Sequence, residues 1–137
     1  MTRSAHAVWQ GGLKDGRGTF GVASGAITNQ SVTFKTRFED APGTNPEELI
    51  AAAHASCFSM ALSAQLGERG ITATSIETTC TITFENQTLT RSRLQTTVVA
   101  PGADKVRVEE AAAAAKAGCP ISKVLKLDIS LELTVAA

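Results

Sequence analysis

Three cysteines (Cys57, Cys80 and Cys119), two histidines (His6 and His54) and a few charged side chains are the chemical repertoire of this 137-residue chain. No C-x-x-C and no H-x-x-x-H is present, so no metal site is expected. A G-x-S-x-G elbow, a phosphate loop and a dinucleotide fingerprint are absent too, and no cofactor is expected. Thiol chemistry remains, and its nucleophile is the thiolate.

The residues around each sulfur say what could ionise it. Cys57 falls inside an apolar run, where helical spacing gives it a face with Ile50, Ala53, His54, Met60, Ala61 and Ala64. Most cysteines in such settings are small hydrophobes. As a nucleophile Cys57 needs a group to hold its charge, and His54 is one candidate; the plainer reading of His54 is a hydrogen-bonded core residue. Cys119 directly precedes Pro120 at the expected first position of a helix, whose positive end lowers a thiol pKa. Local physics therefore ranks Cys119 above Cys57. Cys80 shares a strand face with Ile76 and Ile82 and reads as core. Arg37, followed by Phe38, Glu39 and Asp40, is either a solvated cation or a guanidinium fork aimed at an anion.

These side chains need a frame. Ala5–Gln10, Arg17–Ala23 and Ser31–Thr36 read as short strands separated by Gly-rich turns, with Arg37 closing the third. A loop follows over 38–44. Asn45, Pro46 and Glu48 then give a helix its N-cap, first residue and capping-box acid, and Glu47 and Glu48 favour the positive end of its dipole. This helix should run to about Leu66 and stop at Gly67 and Gly70. It is apolar on nearly every face, which predicts enclosure, with a second subunit as one way to supply it. Residues 49–66 are too polar for a membrane span by this reading. Ile76–Glu85 alternates as a strand and Leu89–Val99 returns as its hairpin partner. A second, Ala-rich helix covers Asp104–Ala117, a short turn of helix runs from Pro120 to about Val124, and a strand of alternating pattern ends the chain. The expected class is α+β: antiparallel sheets packed around a long buried central helix, in one domain spanning 1–137.

Taken together, Thr36-Arg37-Phe38-Glu39, Gly43-Thr44-Asn45-Pro46-Glu47-Glu48-Leu49, Ala53 to Met60 (AHASCFSM) and Lys116-Ala117-Gly118-Cys119-Pro120 resemble the OsmC/Ohr family, the osmotically inducible and organic hydroperoxide resistance proteins. The resemblance covers nearly the whole chain. His54 and the run Cys119 to Lys123 are more similar to the OsmC branch. It implies an intertwined homodimer that reduces organic hydroperoxides with a dithiol as reductant. By motif, Cys57 matches the peroxidatic cysteine, Cys119 the resolving one, and Arg37 and Glu47 the charged pair that activates the thiolate. This reverses the local ranking of the two thiols. A Cys57–Cys119 disulfide then requires Cα atoms within about 7 Å of each other.

Helix arithmetic adds an expectation. Ten residues separate Glu47 from Cys57, about 15 Å of rise, so Arg37 and Glu47 are expected to reach Cys57 from the second subunit. Two rivals stand beside the peroxidase: a Cys57–His54 hydrolase or acyl transferase, and a catalytically silent dimeric binding protein. Composition narrows the partners. Lys plus Arg total 13 and Asp plus Glu total 13, so the zero net charge argues against nucleic acid and an anionic membrane surface. The N-terminal MTRSAHAVWQ has no apolar h-region, and three cysteines make no disulfide framework; a reducing, cytoplasmic compartment is expected.

Overall fold

Three short strands open the chain, β1 (Ala5–Gln10), β2 (Arg17–Val22) and β3 (Gln30–Val32), paired antiparallel in the order β1-β2-β3. The expected third strand ends early. Thr33 caps a five-residue helix, α1 (Phe34–Phe38): its hydroxyl accepts the Thr36 N–H at 3.2 Å, and the Thr36 hydroxyl accepts the Thr33 N–H at 2.9 Å. This reciprocal box supplies the backbone bonds a strand would have needed. Arg37 consequently sits on a helix.

The helix α2 (Pro46–Glu68) begins as its sequence predicts, with the Asn45 side chain accepting the Glu48 N–H at 2.8 Å. Glu48 departs from the capping-box expectation, because its carboxylate takes the Thr44 hydroxyl at 2.8 Å instead. At the other end, Gly70 adopts φ +70°. The Ile71 N–H reaches the Leu66 carbonyl and the Gly70 N–H that of Gly67, the paired bonds of a Schellman cap.

The computed structural model describes residues 1–136 and groups them into two units that meet within α2, one ending at Leu49 and one beginning at Ile50. In the second unit, β4 (Ser75–Glu85) and β5 (Thr88–Val99) form a hairpin closed by Asn86 and Gln87, both at positive φ as a type I′ turn demands. The final strand β6 (Asp128–Ala136) lies beside β5 and runs parallel to it. This sheet is therefore mixed rather than antiparallel throughout. The reason is the connection: α3 (Lys105–Gly118) and α4 (Pro120–Val124) carry the chain back to the other end of the sheet, a crossover that only a parallel pairing needs.

Phe58, Leu62 and Leu66 of α2, Leu94 and Val98 of β5, and Val108, Ala111, Ala112 and Ala115 of α3 form the core of this unit. His54 extends the α2 stripe by one turn, at i, i+4 spacing. Full enclosure of α2 is not reached within one chain. Its opposite face, with Ala52, Ala53, Ser56 and Met60, is open, and Met60 is 76% exposed. A sheet and one helix can cover one side of a helix and no more. By length and composition α2 is apolar enough to cross a bilayer, with mean hydropathy 1.4 in an 18-residue window, yet its buried stripe belongs to the core.

Candidate active site

Two helices pin Cys119. Its N–H donates to the Ala115 carbonyl at 2.8 Å, closing α3, and its carbonyl accepts the Lys123 N–H at 3.1 Å, opening α4 with Pro120 in the first position. The Cys119 side chain is fully buried, and the Cys57 side chain on α2 is only partly so. The structure brings these two sulfurs to 2.7 Å, both reduced and sharing a hydrogen bond.

The two thiols do not ionise with equal ease. Burial pushes the Cys57 thiol up, and its hydrogen bond to Cys119 adds to this, outweighing a backbone hydrogen bond from Ile121. Burial also opposes ionisation of Cys119. There, hydrogen bonds from Cys57, from the backbone and hydroxyl of Ser122 and from the Ile121 backbone overcome it and hold the thiol below its ordinary value. The cluster of donors at the start of α4 explains the difference. Within one chain Cys119 is therefore the more readily ionised of the two thiols.

His54 lies beside this pair and is fully buried. Its Nδ1 meets the Ser92 hydroxyl at 2.6 Å and its Nε2 the Ser122 hydroxyl at 2.8 Å. Both ring nitrogens are thus engaged by serines and neither by Cys57, which removes the base that a Cys57–His54 hydrolase needs. Burial lowers the His54 pKa, so the ring is neutral. Cys80 touches the same network, with its sulfur 3.1 Å from the Ser92 hydroxyl, and burial raises its pKa despite that hydrogen bond. Ser92 and Ser122 escaped the sequence reading. Ser122 stands within the Cys119 to Lys123 run, but Ser92 carries no local signal beyond its place on the buried face of a strand.

Arg37 and Glu47 meet in the N-terminal unit. The Arg37 Nε and Nη2 donate to one Glu47 oxygen, Oε1, at 3.0 and 2.9 Å. The Asn45 side chain, donating to the Thr36 carbonyl at 3.1 Å, ties the start of α2 to α1 and so sets this pairing. The second carboxylate oxygen, Oε2, is buried and has no hydrogen-bond partner among the described residues. Such an oxygen is costly to leave alone, at about 1–3 kcal/mol. Among the described residues no group of three or more His, Cys, Asp or Glu could hold a metal.

Comparison with known proteins places this chain in a family. The OsmC-like protein family model matches residues 38–134. A curated relative, Peroxiredoxin OsmC of Escherichia coli, is 46% identical over 134 residues, covering 95% of this chain and 94% of the relative. Among solved structures, an OsmC-like protein of unknown function from Vibrio cholerae superposes with TM-score 0.77 at 17% identity, covering 97% of this chain and 99% of that one. An OsmC-like protein from Mycoplasma pneumoniae gives TM-score 0.76 at 15% identity, over 100% and 99% of the two chains. The chain belongs to the OsmC family, and its α+β fold with a long central helix is that of the family.

Proposed function

We propose that this chain is a thiol peroxidase that reduces organic hydroperoxides to alcohols, with Cys57 as the attacking thiolate and Cys119 as the resolving thiol. Membership of the family and 46% identity to a peroxiredoxin support the general class. The observation that carries the finer reading is the 2.7 Å separation of two reduced sulfurs, one partly exposed and one sealed. A hydroperoxide can reach Cys57 but not Cys119. Cys57 thiolate attacks the distal oxygen, the O–O bond breaks, and the alkoxide leaves as alcohol on taking a proton. The Cys57 sulfenic acid then condenses with Cys119 to a disulfide and water. An external dithiol restores both thiols by exchange.

Cys57, the less readily ionised thiol, has to lose its proton for the first step, and an added cation can favour that. We assign that cation to Arg37, oriented by Glu47, from a second copy of the chain. Ten residues of α2 rise about 15 Å, too far for Glu47 to serve Cys57 of its own chain. A homodimer also answers two other features: the open apolar face of α2 and the unpartnered Glu47 Oε2. The same face, rich in alanine and carrying Met60, suits an alkyl hydroperoxide better than hydrogen peroxide. We read the chain as one domain of this family and place it in the cytoplasm, where dithiols keep cysteines reduced.

Stopped-flow oxidation by tert-butyl hydroperoxide tests the roles. Cys57→Ser should lose the first oxidation, and Cys119→Ser should stop at a sulfenic acid that dimedone traps. If Cys119→Ser alone loses the first step, the two roles are reversed.

A further inference from the structure

We propose that His54, Ser122 and Ser92 are positioning residues for Cys119: they form a one-way hydrogen-bond chain that aims the Ser122 hydroxyl at the Cys119 sulfur while it attacks the Cys57 sulfenic acid. This rests on the assignment of Cys119 as the resolving thiol.

Counting hydrogens fixes the direction of the chain. When Cys119 attacks it does so as a thiolate, and the one hydroxyl hydrogen of Ser122 is then the hydrogen it takes. Ser122 then has none for His54 Nε2, 2.8 Å away, so Nε2 carries the imidazole hydrogen and donates. Burial keeps the ring neutral, which leaves Nδ1 bare. The Ser92 hydroxyl, 2.6 Å from Nδ1, must therefore donate to it. Ser92 in turn accepts from the Cys80 S–H at 3.1 Å, a thiol that burial keeps protonated. Every link has one hydrogen, and every hydrogen points toward Cys119. The reverse direction would need Cys119 to donate to Ser122, which a thiolate cannot do, so ionisation of Cys119 sets the polarity.

The titratable groups bearing on Cys119 are few. Cys57 on α2 touches it directly, and His54 on α2 and Cys80 on β4 act through the chain; β5 supplies only Ser92. In the resolving step the Cys119 thiolate forms the S–S bond, the S–O bond of Cys57 breaks, and the departing hydroxide takes a proton from solvent at the partly exposed Cys57. A hydroxyl held on Cys119 keeps it ionised before that attack, and it stabilises the same sulfur as the leaving thiolate when the disulfide is reduced.

The test is the rate of disulfide formation from Cys57 sulfenic acid, followed by rapid quenching and thiol counting between pH 5 and pH 9. Loss of a hydroxyl bonded to a thiolate raises the thiol pKa by about one unit. In Ser122→Ala the thiolate is then about tenfold scarcer at low pH, but each is about threefold more nucleophilic. The variant should be about threefold slower than wild type at low pH and about threefold faster at high pH, so the two profiles cross. Ser122→Thr keeps the hydroxyl and should follow wild type. Ser92→Ala makes no hydrogen bond to either sulfur of the pair, but it frees Nδ1 to take the ring hydrogen and Nε2 to capture the Ser122 hydroxyl. It should cross in the same sense. A uniform slowing at every pH, or a Ser92→Ala profile identical to wild type, overturns the proposal. Loss of the first oxidation in Cys119→Ser rather than Cys57→Ser would instead overturn the thiol roles beneath it, and the two failures are distinguishable.

Discussion

Oxidation by one equivalent of tert-butyl hydroperoxide should stiffen this protein measurably. Cys57 and Cys119 are 62 residues apart in sequence, and their sulfurs need to close from 2.7 Å to about 2.05 Å, a movement of about 0.7 Å. Cross-linking a loop of that length removes denatured-state entropy equivalent to about 4 kcal/mol at 25 °C. Loss of the hydrogen bond between the sulfurs offsets about 1 kcal/mol. The net gain of about 3 kcal/mol corresponds to a rise in Tm of about 10 °C for a chain of this size. Scanning calorimetry of the reduced and oxidised forms, with a thiol count on each, measures it. Two of the three thiols should disappear, with Cys80 remaining, and Cys57→Ser should gain nothing. An oxidised form that melts at or below the reduced one, or a bridge that includes Cys80, would refute the reasoning.

Four other outcomes follow from the geometry. Arg37→Lys loses the two-nitrogen grip on Glu47 and should slow the first oxidation at least tenfold without changing the thiol count, read by stopped flow. The buried His54 has a pKa below its ordinary 6.5, so the unfolded chain takes up a proton first as pH falls. Stability is thus fully present above 6.5 and declines below it by about 1.4 kcal/mol per pH unit until the folded pKa is reached; urea midpoints should show this slope, and His54→Gln should lack it. Phe58→Ala, in the fully buried stripe of α2, should cost about 3–5 kcal/mol in urea unfolding. Met60→Glu, on the open face of the same helix, should leave the fold intact and lower the sedimentation coefficient to that of a monomer.

Elements with their signals inside one window were readable in advance. Asn45-Pro46 announced α2, the Ala-rich run announced α3, and the alternation of β4 and β6 gave their faces, because capping, propensity and periodicity are local properties. Where two local solutions compete, the reading went the wrong way. Thr33 and Thr36 suit a strand by propensity, but their hydroxyls cap each other's backbone and turn the chain into α1. The direction of β6 was equally hidden, since alternation looks the same in parallel and antiparallel strands.

The amino-acid order alone established a thiol-based site, an apolar central helix, a cap that favours ionisation at Cys119, and a pattern of residues shared with one family. Folding decided which sulfur meets which, that His54 serves two serines rather than Cys57, and that Ser92 on β5 is part of the site. Those pairings join residues 38 to 68 positions apart, and no local rule of spacing or propensity reaches that far. They exist because the tertiary packing brings His54 of α2 within hydrogen-bond reach of Ser92 on β5 and Ser122 on α4.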